Sequence, residues 1–308
     1  MPIFFIGMLC CKKFFCKLNH FFDMFCSTWL YIRWQNTKYK HVFSGGGVTV
    51  DGASGDILAF AERYKWPVNP PPPTVYRSSD HGRTWKTEET VIHPSKNGER
   101  LTMHMAEHGI TLQRGPNKGR LIRPARYYGK RNSREEWPNH YTTAIYSDDH
   151  GSTWHTSDPF PEMGTGEAAV VELSDGRIYY NSRVHWEKRP RNTRRRSAWS
   201  DDGGQTWKDW EIVEVLPDGP QNTNYGCMGG LVRLPIRNRD ILIYSNCDSQ
   251  NGRDHGTVWA SFDGGSTWPV KRLVYEGRFA YSSLASGRSQ TSSAGWIYLN
   301  FEGGPQGG

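Results

Sequence analysis

SDDHGSTW, residues Ser147 to Trp154, is one of four copies of a single eight-residue pattern in this chain. The others are SSDHGRTW (Ser78 to Trp85), SDDGGQTW (Ser200 to Trp207) and SFDGGSTW (Ser261 to Trp268), and all fit S-x-D-x-G-x-T-W. Four copies of so long a pattern, at intervals of about 50 to 70 residues, do not arise by chance and suggest a propeller or a solenoid. The chemistry of the pattern is that of a scaffold. Asp80, Asp149, Asp202 and Asp263 can each accept hydrogen bonds from backbone N–H groups in a tight turn. The glycine takes backbone angles that other residues resist, and the Thr and Trp begin a new strand whose indole packs between sheets. An acid repeated once per structural unit is a turn former, not a unique catalytic group.

The order of parts around each copy is also constant. A hairpin with a polar turn comes first, then a strand running into the repeat (TTAIYSDD, RRSAWSDD, TVWASFDG), then a strand after the Trp. Four antiparallel strands per unit make a propeller blade. Composition agrees: 308 residues can bury a large core, and 13 Trp, 15 Tyr and 33 Gly suit many short strands joined by tight turns.

One hairpin, GEAAVVELSDGRIYYNSR (Gly166 to Arg183), carries an unlike-charged pair. Asp175-Gly176 marks its turn, which leaves Glu167 and Arg183 side by side at the open end. In a propeller, the open ends of such hairpins gather at one mouth of the central channel.

The formal charge of +7 favours anionic partners, whether nucleic acid, acidic glycans or a membrane face. The basic run EKRPRNTRRRS (Glu187 to Ser197) reads as a solvated loop between strands. No zinc finger, helix-turn-helix or RNP-like motif accompanies it, so nucleic acid is not an expected partner. No metal site is expected either, because the histidines lack ligand spacing and the cysteines form no paired CxxC pattern.

Cys10, Cys11, Cys16 and Cys26 crowd an atypical Cys- and Phe-rich tail, residues 1–40, that is set apart from a propeller over 41–308. The apolar run of the tail is too short to span a bilayer and lacks the marks of a clear signal peptide, which leaves membrane association open. Cys227 and Cys247 flank the hairpin GGLVRLPIRNRDILIYSN and face each other as either a cross-strand disulfide or two reduced core thiols.

The repeats are Asp-boxes, and from Val42 onward the chain resembles the sialidase (neuraminidase) family of six-bladed β-propellers with BNR repeats. GITLQRGPNKGRLIRPAR (Gly109 to Arg126), the Glu167 hairpin, NCDSQNGRDHGTVWASFDGGSTW and FAYSSLAS each resemble segments of that family. The resemblance implies an all-β, six-bladed propeller with an incomplete last blade. It also implies a retaining exo-α-sialidase activity on terminal sialic acid or a related acidic sugar. Tyr281 matches the family's nucleophile, a known exception to the two-carboxylate glycosidase scheme, and Glu167 matches the glutamate that draws its proton. Arg183 and Arg253 match two of three arginines that clamp the substrate carboxylate, for which guanidinium forks are well suited. Glu302 matches the supporting glutamate.

Two family positions are filled differently. Ser44 stands where the first clamp arginine is expected, with Arg63 as a partial substitute. The loop that should bring the acid/base Asp contains none, Asn69 being its nearest polar residue. His104, His108 and Glu62 are alternative proton donors, each weighed against a surface or packing role. The implied partners are sialylated or other acidic glycans, with no cofactor and a monomeric chain. A secreted or lysosomal setting is favoured over a cytoplasmic one. Two other readings compete with the enzyme: a glycan-binding propeller without catalysis, and a hydrolase for another acidic glycoside.

Overall fold

Each box closes the strand before it and opens the strand after it, and the computed structural model shows how. It describes residues 4–9, 42–44, 48–63, 73–99, 101, 108–127, 137–184, 194–222 and 226–304. In the last box, Asp263 accepts from the Ser261 hydroxyl at 2.8 Å, the Thr267 amide at 2.9 Å and the Thr267 hydroxyl at 2.6 Å. Ser261 in turn accepts from the Gly265 amide, and the Trp268 indole N–H donates to the Gly265 carbonyl. The aspartate and serine bonds recur around Asp80 and Asp202, with the serine and backbone part repeated at Asp149, whereas the Trp207 indole N–H donates to the Ser157 hydroxyl and the Asp158 carbonyl instead. The fourth and fifth box positions both lie in the left-handed region, as His81–Gly82, His150–Gly151, Gly203–Gly204 and Gly264–Gly265. That geometry explains the fixed glycine. Hydrogen bonds, led by the Thr84 hydroxyl, hold the Asp80 carboxyl well below the usual range, and burial is outweighed by such bonds at Asp149, Asp202 and Asp263.

A short strand, β1 (Phe4–Leu9), precedes the repeats. The first sheet contains β2 (Val42–Ser44), β3 (Thr49–Val50), β4 (Ile57–Arg63), β5 (Thr74–Ser78) and β6 (Lys86–Glu88). The second contains β7 (Val91–Ile92), β8 (Ile110–Thr111), β9 (Leu121–Tyr127), β10 (Tyr141–Ser147) and β11 (Thr153–Thr156), in the order β7-β11-β10-β9-β8. The third is a simple meander of β12 (Thr165–Glu172), β13 (Ile178–Val184), β14 (Arg194–Ser200) and β15 (Lys208–Pro217). The fourth runs through β16 (Gly230–Arg233), β17 (Leu242–Cys247), β18 (Asp254–Ser261) and the 17-residue β19 (Val270–Ser286). The first half of β19 completes that sheet against β18, and its second half pairs with β20 (Trp296–Gly303). Strand β1 then lies parallel to β20, with Phe4 opposite Trp296. The chain is therefore all-β, with four sheets set side by side as propeller blades.

Packing between blades explains why the strands read as nearly continuous apolar runs. In β12, Ala168 and Val170 face the second blade with Ile122, Ala144 and Phe160. Their neighbours Ala169 and Val171 face the fourth with Leu231, Tyr244 and Trp259. A strand covered on both faces alternates between two cores and not between core and solvent. Three box tryptophans sit in these seams: Trp154 between the first and second blades, Trp207 between the second and third, Trp268 between the third and fourth. Trp154 is fully buried, whereas Trp85 of the first blade is half-buried.

One expectation is corrected. The end of the basic run is not a solvated loop, because Arg194–Ser200 is strand β14 and Arg195 and Arg196 are buried. Arg195 donates to Asn181 Oδ1 at 2.7 Å and to Asp218 Oδ1 at 3.1 Å, partners that a local reading of charge does not reveal.

Candidate active site

Two inner strands make the same departure from regular pairing. In the third blade Thr165 pairs with Val184 and Ala168 with Ser182, so two residues, Gly166 and Glu167, oppose Arg183 alone. Past the fourth blade Phe279 pairs with Gly303 and Ser282 with Phe301, so Ala280 and Tyr281 oppose Glu302 alone. Each is a β-bulge, which re-aims a side chain that regular pleating would send elsewhere. The two bulges turn Glu167 and Tyr281 toward each other. The Tyr281 hydroxyl donates to Glu167 Oε1 at 3.1 Å, the two residues standing 114 positions apart in sequence.

Arg183 bridges the pair. Its Nη1 donates to Glu167 Oε2 in a closely spaced ion pair and lies 3.4 Å from the Tyr281 hydroxyl. Glu167 and Arg183 are wholly buried and Tyr281 is 8% exposed. Arg253, in the turn just before β18, places its guanidinium 5.0 Å from the Tyr281 ring centroid and donates to the Gly226 carbonyl at 3.0 Å. The four residues expected from the sequence thus converge.

A buried frame holds them. Asp218 accepts from the Val184 amide at 3.1 Å, fixing the backbone just after Arg183, and from Arg195 Nη1 at the same distance. Arg195 also reaches the carbonyls of Glu167 and Cys227, both at 3.5 Å. The approach is close: a Cβ at Gly226 would lie 2.6 Å from the Asp218 carbonyl oxygen and 2.9 Å from Arg183 Nε.

The electrostatics follow from this enclosure. Burial alone would raise the Glu167 carboxyl, but the charges of Arg183, Arg126 and Arg253 and the Arg183 hydrogen bond hold it below its ordinary range. Burial, reinforced by the Glu167 charge, pushes the Tyr281 phenol well up despite Arg183 and Arg253. Burial works against the Arg183 charge, yet Glu167 and Tyr281 carry it upward. A neutral phenol therefore faces an ionised carboxylate that can receive its proton, beside guanidiniums suited to an anion.

Other expected residues are placed differently. Glu302 lies opposite the Tyr281 bulge, half-buried, matching by register the position of Arg183 opposite Glu167. Ser44 pairs with Ala61 and Arg63 with Val42 as backbone, and the side chains of Ser44, Glu62 and Arg63 lie outside the description. Asn69 and His104 lie outside the described residues, and His108 is half-buried just before β8. Cys227 and Cys247 are free, buried thiols. A hydrogen bond to Cys227, then burial, raises the Cys247 thiol. Among the described residues no three His, Cys, Asp or Glu side chains group as metal ligands, and no helix is long and apolar enough to cross a membrane.

Arg126, Arg195 and Asp218 were not singled out from the sequence. A signal existed for Arg126: it lies near the end of β9, the strand preceding a box strand, much as Arg183 does in β13.

Comparison with known proteins follows the same lines. The family model of the BNR repeat-like domain matches residues 34–293. A sialidase of Micromonospora viridifaciens is 33% identical over 214 residues, covering 69% of this chain and 31% of that protein. The anhydrosialidase of Macrobdella decora is 27% identical over 255 residues, covering 80% and 31% respectively. Among solved structures, a Hadza microbial sialidase superposes with a TM-score of 0.62 at 27% identity, over 79% of this chain and 47% of that one. The chain spans about a third of the length of these two sequence relatives.

Proposed function

The chain belongs to the sialidase family with BNR repeats, and from that premise we propose that it is an exo-α-sialidase-type glycoside hydrolase releasing terminal sialic acid or a related acidic sugar from glycoconjugates. The observation that carries the reading is the buried 3.1 Å hydrogen bond from Tyr281 to Glu167, with Arg183 on both. Tyr281 attacks the anomeric carbon as Glu167 takes the phenolic proton, and the aglycone oxygen departs with a proton drawn from solvent water. Water then displaces the tyrosine, which regains its proton, so the sugar leaves with retained configuration. A neutral nucleophile suits an anomeric centre that bears a carboxylate, because an anionic one would be repelled. Arg183 and Arg253 hold that carboxylate. In this reading the four blades belong to a six-bladed ring over residues 41–308, and β1 extends its last sheet.

The test is release of the fluorophore from a fluorogenic sialoside by the wild-type chain and by Tyr281→Phe. Equal rates in the two proteins would sink the nucleophile, and an inactive wild-type chain would sink the enzyme. A second reading, a propeller that binds acidic glycans without cleaving them, is favoured by one observation: the stretch YKWPVNPPPP after β4 offers no aspartate as general acid.

A further inference from the structure

Another β-bulge lies away from this pocket. On β15, the outer strand of the third blade, Glu211 pairs with Ser197 and Lys208 with Trp199, so Asp209 and Trp210 oppose Ala198 alone. Asp209 takes a φ of 55°, in the left-handed region that non-glycine residues adopt at a cost. A bulge re-aims the side chain it carries, and here Trp210 is 41% exposed, whereas the seam tryptophans Trp154, Trp207 and Trp268 are buried. Its Nε1 donates to Glu162 Oε2 at 3.1 Å, and the same oxygen accepts from Arg196 Nε at 2.8 Å. The Arg196 side chain is 1% exposed, and the Glu162 carbonyl accepts from Thr165 Oγ1 at 2.8 Å. An exposed indole is thus pinned by a carboxylate that a buried guanidinium holds.

The chemistry of this arrangement defines what it can hold. The protein already satisfies the polar tip of the indole, so the ring offers a ligand its apolar face. Among the described residues both side-chain donors to Glu162 fall on Oε2, which leaves Oε1 to accept from a ligand at the edge of the ring. A flat apolar face beside a directed acceptor matches a pyranose, which carries C–H groups on one side and hydroxyls around its rim. The Glu162 charge works against an acidic sugar, so the matching unit is neutral. Holding the ring in advance lowers the ordering cost of binding. Met163, the next residue in the same connection, is 51% exposed and adds apolar surface. Strand β15 stands three strands out from β12, about 14 Å at ordinary strand spacing. The Glu162 connection enters β12 at Thr165, the same end of the sheet that carries Glu167. The platform and the pocket share no residue, yet they open on one end of the blade.

We propose that Trp210, with Glu162 at its edge, is a second carbohydrate-binding site that takes a neutral pyranose unit of a glycan chain. This site goes beyond the hydrolase reading and does not depend on it, because binding here needs no turnover at Tyr281.

Wild type, Trp210→Ala and Trp210→Phe are titrated with lactose by saturation-transfer NMR, with and without excess 2-deoxy-2,3-didehydro-N-acetylneuraminic acid as a ligand for the Glu167–Tyr281 pocket. In parallel, fluorine NMR of protein labelled with fluorotryptophan follows Trp210, whose resonance is the one missing from Trp210→Phe. Lactose should move that resonance saturably, and glucuronic acid at the same concentration should move it less. Trp210→Ala should weaken lactose binding roughly 10-fold or more, the scale of one lost aromatic contact. Trp210→Phe, which keeps a ring but loses the bond to Glu162, should fall between the two. Should the Ala variant misfold, Trp210→Phe and the wild-type fluorine titration decide. A Trp210 resonance that lactose leaves in place overturns the inference, as does equal lactose affinity in folded wild type and Trp210→Ala. Loss of lactose binding on adding the acid would assign it to the pocket and overturn the second site. A shift with glucuronic acid as large as that with lactose would overturn the neutral ligand. A wild-type chain inactive on a fluorogenic sialoside would sink the proposed function alone, since none of these readouts uses turnover.

Discussion

Tyr281 and Glu167, on strands of different sheets, meet through a 3.1 Å hydrogen bond because each occupies the same bulge position on its own inner strand. Burial and the Glu167 charge keep the phenol protonated, and the neighbouring guanidiniums keep the carboxylate ionised, so the hydrogen bond joins a neutral donor to a charged acceptor.

Glu167→Gln removes the acceptor while preserving shape. The expected result is a fall in kcat of about 10²- to 10⁴-fold, the usual worth of a positioned general base. KM should change little, because the guanidiniums remain. Steady-state kinetics on a fluorogenic sialoside checks the split.

The Glu167 carboxyl is depressed in the folded state relative to the unfolded chain. Its contribution to stability is therefore full above the ordinary carboxylate range and is lost as pH falls through the lower folded value. Thermal melts from pH 7 downward should show stability decreasing into acid, with a shallower slope for Glu167→Gln. Parallel curves for the two proteins would contradict the assignment.

Asp263→Ala deletes the acceptor of three hydrogen bonds in a turn remote from the pocket. A loss of about 1–3 kcal/mol is expected, or some 2–4 °C of Tm for each kcal/mol in a chain of this size. Activity per folded molecule should be retained, which distinguishes a turn former from a catalytic acid.

Trp154→Ala opens a cavity in the seam between the first two blades, where the indole meets Phe60 edge-on at 5.4 Å. Its cost should be about 3–5 kcal/mol. Trp85→Ala, at a half-buried position, should cost less than half as much by denaturant titration.

Cys227 and Cys247 are buried as thiols. Peptide mapping after alkylation should find both unmodified in the native protein and both modified in denaturant. A Cys227–Cys247 disulfide peptide from unreduced material would contradict the free-thiol state.

The boxes and the Glu167 hairpin were legible because their meaning is local: a turn needs its acceptor and its left-handed glycine within eight residues. The four converging site residues were legible through resemblance and through hairpin symmetry. Arg126, Arg195 and Asp218 were not, because their partners lie in other strands and the chain gives no local sign of which charges are enclosed. The run Arg194–Arg196 looks solvated for the same reason. In VKRLVYEGRFAYSSLAS, Gly277 interrupts the run without turning the chain, so one strand serves two neighbouring pairings.

The matching bulges have a consequence for how such a pocket can change. Glu167 with Arg183, and Tyr281 with Glu302, fill equivalent seats of a repeated frame. The box turns lie elsewhere, and so do the seams that flank the third blade, whereas Tyr281 also packs in the core of the last sheet. A repeated frame thus presents paired side chains at matching points of two different sheets, and exchanging the occupants of one pair while leaving the other intact would separate what each pair contributes.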